Sequence, residues 1–238
     1  MTDDSVLAGF DPFDVLDREA VRLDAFLSTL RNNEWDTLSR CRGWSTRHML
    51  AHLTASEEWY RACLDGTVAA YLEEMAAQGG TDQDSINAIG VAKFVDRDPH
   101  EVLDQWRSSN FETRHEFRAR GGGTVLIPSG EYPARWGAFH LAGELATHAD
   151  DIHVPIADDE DELRWAWRVA YSRFALTEAK PDVSIEPTTN THLRVHSPDT
   201  GVDFEVSEHD LMEGVMGRLG DSSGLSAEQL ELLRHRWD

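Results

Sequence analysis

Twice in its first hundred residues the chain sets aspartate directly before proline at the head of an apolar stripe of helical period, at Asp11-Pro12 and Asp98-Pro99. Aspartate caps the free N–H groups of a first helical turn, and proline fixes the φ that turn needs while lacking an N–H to strand. Behind the first pair, Leu16, Leu23, Phe26, Leu27 and Leu30 keep roughly helical spacing. Behind the second, Val102, Leu103, Trp106, Thr113 and Phe117 mark one side of a helix that Gly121-Gly122-Gly123 ends. Ser45 is a cap for another helix running to Asp65-Gly66, with Met49, Leu50, Leu53, Tyr60 and Leu64 inward. A fourth begins near Pro133 and stops before Pro155, and residues 67–96 read as one or two shorter helical pieces around Gly79-Gly80. Four long amphipathic helices joined by polar connections predict an antiparallel four-helix bundle over residues 1–155.

The period then changes. An acidic run, Asp158 to Asp161, opens a helix carrying Leu163, Trp165, Trp167, Val169, Tyr171 and Phe174. After Pro181, Val183-Ser184-Ile185, Leu193-Arg194-Val195 and Val202 to Val206 alternate as strands do, with a turn at Pro198 to Gly201. Helices over about 210–219 and 226–236 close the chain. The expectation is a mainly α protein: a bundle followed by a small α+β domain over residues 156–238.

Forty-four acidic side chains against twenty-two basic ones leave a formal charge of −22. Such a surface repels phosphate backbones and anionic headgroups, and no run of Lys and Arg offsets it, so neither nucleic acid nor membrane is an expected partner. No stretch of about eighteen apolar residues would cross a bilayer. The acidic N-terminus lacks the pattern of a signal peptide, which predicts a cytoplasmic protein. Two cysteines, Cys41 and Cys63, without CxxC spacing exclude a disulfide scaffold or thiolate-rich zinc site and read as core-filling residues. Gly121 to Gly123 lack the following Lys-Ser/Thr of a phosphate loop.

The chemistry sits among eleven histidines. The fourth bundle helix places His140, Glu144 and His148 at four-residue steps, so neighbours differ by about 40° around the axis and share one face. On the second helix His52 stands between Met49, Leu53 and Ser56, on the side that faces the bundle. A core-facing carboxylate needs pairing or ligation, and a cation held by His52, Glu144 and His148 is the simplest arrangement that satisfies all three. Two imidazoles and a carboxylate suit zinc and other late divalent metals, and three protein ligands leave a position open, as catalytic sites do. The competing reading is a solvated Glu–His pair and a satisfied core histidine. His48, at the start of its helix, reads as exposed, and His192 and His196 as solvent-facing.

Gly43-Trp-Ser-Thr-Arg-His-Met-Leu-Ala-His52-Leu53 and Glu144-Leu-Ala-Thr-His148-Ala-Asp-Asp151-Ile152 resemble the two helix signatures of the DinB-like, mycothiol-dependent maleylpyruvate isomerase family. Asp84-Ser85-Ile86-Asn87 and Met216-Gly217-Arg218 are similar, more weakly, to two further family segments. The resemblance implies a DinB-type bundle, a divalent metal, usually zinc, on His52, Glu144 and His148, and the low-molecular-weight thiol mycothiol as cosubstrate. Asp151 matches the signature's aspartate, which implies a partner that orients His148. One departure stands out: the isomerases commonly carry arginine just before the glutamate, where this chain has Ala142 and Gly143. Arg135 and Arg218 are the candidates to bind the thiol or substrate carboxylate instead, Arg218 and His140 the further catalytic candidates.

These readings predict an enzyme that presents a metal-activated thiolate to a small electrophile, since a metal-bound thiol is deprotonated. The missing arginine favours S-transfer over cis–trans isomerisation of the maleylpyruvate isomerase type. The other classes in view are a metal-dependent hydrolase and a non-catalytic metal-binding module. The sequence leaves the oligomeric state open.

Overall fold

The computed structural model describes residues 4–234. Contacts divide the chain into two compact units, one spanning Asp11–Pro155, the other joining the residues up to Phe10 to those from Ile156 onward. The first ten residues were expected with the bundle; instead a short 3₁₀ turn at Ser5–Leu7 packs on the long helix of the second unit, burying Leu7. One apolar residue is too faint a sequence signal to assign that segment.

The larger unit is a helical bundle of α1 (Pro12–Leu27), α2 (Thr46–Asp65), α5 (Pro99–Arg120) and α6 (Ala134–Asp151), with α3 (Val68–Ala77) and α4 (Gln83–Phe94) in the connection after α2. Both Asp-Pro signals act as read: Asp11 Oδ1 accepts from the Phe13 N–H at 2.9 Å, and Asp98 Oδ1 from the His100 N–H at 2.8 Å. Ser45 caps α2 together with His48, whose ring closes a capping box. That half-buried histidine therefore has a structural task at the helix start, and the exposed position expected for it is corrected. Gly66 ends α2 at φ 71°, a left-handed conformation that costs glycine little. Helix α1 packs on α6 and α2 on α5, enclosing Leu16, Leu23, Leu53, Trp106, Phe117 and Phe139.

Between α5 and α6 stands a hairpin that the sequence did not reveal, β1 (Thr124–Ile127) and β2 (Gly130–Pro133), paired antiparallel from Thr124 opposite Pro133 to Ile127 opposite Gly130. It seats Val125 and orients the start of α6.

Helix α4 lies against α2 through Gly90, where an added Cβ would come within 2.7 Å of the Ala55 Cβ. Forced overpacking of this kind costs about 1–3 kcal/mol. Gly90→Val is expected to lower the urea midpoint by a loss in that range with an unchanged denaturation slope, and Ala55→Gly added to it to recover part of the loss. A Gly90→Val protein as stable as the parent would contradict the close approach.

The second unit contains α7 (Asp161–Ala179), a three-stranded antiparallel sheet of β3 (Ser184–Pro187), β4 (His192–Ser197) and β5 (Val202–Ser207), then α8 (Glu208–Val215) and α9 (Ala227–Leu233). Leu193, Val195, Phe204 and Val206 face its core. Helix α8 starts two residues earlier than its spacing suggested, because Ser207 accepts from the Asp210 N–H. It ends at Val215 rather than 219, and α9 begins after the Ser226 cap. Residues 235–236 of the expected last helix lie outside the described residues. His196 is half-buried rather than solvent-facing. Among the described residues no helix is long and apolar enough to cross a membrane.

Candidate metal centre

Helices α2 and α6 each turn a polar stripe at four-residue spacing toward the bundle interior. On α2 it comprises His52, Ser56 and Tyr60; on α6, His140, Glu144 and His148. Glu144 is the hinge between them. Its Oε1 lies 3.3 Å from His52 Nε2 and accepts from the Ser56 hydroxyl at 2.7 Å, while its Oε2 accepts from the Tyr60 hydroxyl at 2.9 Å. The His52 and His148 rings meet edge to face with centroids 4.8 Å apart. One ligand atom each from His52, Glu144 and His148 falls within 4.8 Å of the others, a grouping that fits one shared cation.

Burial alone would raise the Glu144 carboxyl, but the hydrogen bond and charge of His52, the charge of His148 and the Ser56 hydroxyl bring it from 4.5 down to about 2. Burial pushes His148 below the ordinary histidine range, and the Asp151 carboxylate opposes that only in part. An ionised carboxylate beside an imidazole held neutral is the protonation state in which both offer lone pairs to a metal. The donor set therefore fits zinc or a neighbouring divalent ion.

Asp151, fully buried, takes His148 Nδ1 at 3.0 Å on its Oδ2, so His148 keeps Nε2 for the interior. The same Oδ2 accepts from Cys41 Sγ at 3.2 Å. Cys41 thus departs from the core-filling role expected of it, and with His148 and Asp151 it forms a second tight group of donors. Trp44 packs its ring against His52 at 5.3 Å. Ser56 and Tyr60 were visible in the sequence only as a small residue near His52 and a member of the apolar stripe; their steps of four from His52 were the signal.

The remaining candidates lie elsewhere. His140 is buried, its Nε2 2.7 Å from the Tyr132 hydroxyl on β2. Arg135 stands nine residues before Glu144, about 180° around α6, with its guanidinium over the Phe13 ring at 5.8 Å. The structure thus does not bring Arg135 to the ligand cluster. Arg218 belongs to the second unit, where its Nη1 donates to the Met216 carbonyl at 3.2 Å.

The family model for the mycothiol maleylpyruvate isomerase N-terminal domain matches residues 16–153, a span that holds all three ligand candidates. The chain belongs to this family. This family member is also similar to the crystal structure of a mycothiol-dependent maleylpyruvate isomerase, with a TM-score of 0.57 and 15% sequence identity over 91% of this chain and 94% of that one. A histidine-to-alanine mutant of that isomerase matches with the same figures. At this identity the likeness establishes a shared fold across both units. A search of the curated proteins found no match.

Proposed function

We propose that the protein is a divalent-metal enzyme that uses mycothiol as a nucleophile, and that its reaction is cis–trans isomerisation of a small, activated alkene. The observation that carries this reading is the convergence of His52, Glu144 and His148 on one point of the bundle interior, in a chain of the mycothiol maleylpyruvate isomerase family. Zinc is the metal the donor set suits best. Held there, the cation would keep a thiol ionised at neutral pH, whereas a free thiol with a pKa of about 8.5 is mostly protonated.

The chain's own residues then have separable tasks. His52, Glu144 and His148 supply the ligand atoms; Ser56 and Tyr60 fix the Glu144 carboxylate from two sides; Asp151 fixes His148. The thiolate adds to one alkene carbon and the π electrons move into the conjugated carbonyl. Rotation about the new single bond and expulsion of the thiolate restore the double bond in the trans form. Thiol and protons balance without a net transfer, so no general base is needed, and His140 is assigned no proton step because Tyr132 occupies its Nε2.

S-transfer to an electrophile is the second reading. It is favoured by Ala142 and Gly143 standing where the isomerases commonly carry arginine, and by Arg135 facing away from the ligands. The protein is proposed to act in the cytoplasm on small molecules.

One incubation separates the classes. With zinc-loaded protein, mycothiol and maleylpyruvate, the trans isomer is expected to accumulate over many turnovers while free mycothiol stays constant. Stoichiometric consumption of mycothiol into a conjugate with an added alkyl halide, and no isomerisation, would replace the isomerase reading by transfer. Turnover without thiol would support a hydrolase, and no turnover of either kind a binding module.

A further inference from the structure

We infer that Cys41 is a positioning residue of the metal centre, acting through Asp151 on His148; the inference rests on the metal reading above. Three observations carry it. The Asp151 carboxylate is fully buried, and a buried carboxylate needs donors. Cys41 Sγ and His148 Nδ1 both donate to its Oδ2, at 3.2 and 3.0 Å, so the thiol holds the same oxygen that orients the ligand. The turn that carries Cys41 is itself anchored to the end of α6: the Arg40 N–H donates to the Asp151 carbonyl at 2.9 Å, the Cys41 N–H to Ser39 Oγ at 3.2 Å, and the Trp44 N–H to the Cys41 carbonyl at 3.0 Å.

This turn therefore meets both ligand helices. Cys41 reaches His148 through Asp151, and three residues on Trp44 covers His52. Its chain then enters α2 through the Ser45 cap, so the ligand of one helix and the orienting group of the other are set by one short segment. A second cation on Cys41, Asp151 and His148 is the competing account of the same cluster. The two donors converging on Oδ2 explain it without an ion.

The test is zinc affinity by chelator competition on the full chain, for the parent, C41A, C41V, C41S, D151N and C41A/D151N. Loss of a group that orients a metal ligand costs about 10–100-fold in affinity, and C41A, one bond further out, is expected at the lower end, about tenfold. C41V, which lacks the donor but fills the space, must show the same loss, and stands in for C41A if that variant does not fold. C41S, which restores an O–H donor, is expected to recover most of it. In the D151N background C41A should change affinity by less than about twofold, since the thiol's target is altered. Thermal stability of the metal-free proteins separates a packing loss, which would fall with C41A and be rescued by C41V.

Parent-like zinc affinity in C41A and C41V, additive losses in the double variant, or a second equivalent of zinc bound only when Cys41 is present would each overturn the inference while leaving the three-ligand site intact. A parent protein that binds no zinc would overturn both.

Discussion

Replacing His148 by alanine is expected to remove the bound metal and to lower mycothiol-dependent turnover about 3000-fold. Two losses multiply. A free thiol at neutral pH is only a few per cent thiolate, so losing metal activation costs about 30-fold. Losing the fixed position of the sulfur costs on the order of another 10²-fold, the penalty for misplacing a reacting atom by about 1 Å. His52→Ala should behave alike, because the two rings face each other across the same point. Glu144→Gln keeps Ser56 and Tyr60 within reach of its side chain but gives up a carboxylate that the imidazoles hold ionised down to about 2; weakened metal binding is expected, with residual activity recovered at high metal. Metal analysis and steady-state rates check each case. Full metal content with undiminished thiol-dependent turnover in His148→Ala would contradict the assignment.

The second large effect is on stability and comes from Glu57, next to Ser56 on α2. Burial raises its carboxyl from 4.5 to about 7, the Thr113 and Asn110 side chains on α5 and the charge of Arg114 oppose the rise, and Glu144 on α6 adds to it. The Asn110 amide donates to Oε1 at 2.8 Å. Between those two pH values the unfolded chain has released this proton and the folded chain still holds it. The contribution is therefore fully present below pH 4.5 and is lost as pH rises through about 7. The loss is on the order of 3 kcal/mol once complete. Glu57→Gln keeps an acceptor for Asn110 and carries no charge to bury. Its stability should match the parent's near pH 4.5 and exceed it by on the order of 3 kcal/mol at pH 8 in chemical denaturation. Parallel stability curves for the two proteins across that range would contradict a protonated Glu57 in the fold.

The bundle was legible because its helix starts are written in local chemistry. Asp11-Pro12, Asp98-Pro99 and Ser45 act on their own first turns, and local interactions survive translation from sequence to structure. The hairpin at Thr124–Pro133 was not legible, since strands of four residues leave no room for a clear alternation. The placement of Leu7 against α7 is a contact across most of the chain, which no local pattern encodes.

The candidate ligand cluster was legible for the opposite reason: three polar groups at helical spacing on faces that must be buried demand one another, and the structure brings their ligand atoms together. What their supports are was hidden. Tyr60 counts as apolar in a stripe until its hydroxyl is seen on Glu144. Cys41 lies 110 residues from Asp151, with nothing near it in sequence to suggest a polar partner. Arg135 looked available for a substrate carboxylate, although its nine-residue step from Glu144 already sets it on the far side of α6; the structure adds that its guanidinium lies over the Phe13 ring.

The account stands on one cation shared by α2 and α6 with room left for sulfur, and cobalt substitution reads that directly. Cobalt-loaded protein should bind one equivalent of metal, and mycothiol added to it should produce a thiolate-to-cobalt charge-transfer absorption that saturates at one thiol per metal and is absent in His148→Ala. Cobalt bound with no change in absorption at saturating mycothiol, or the same absorption persisting in His148→Ala, would contradict it.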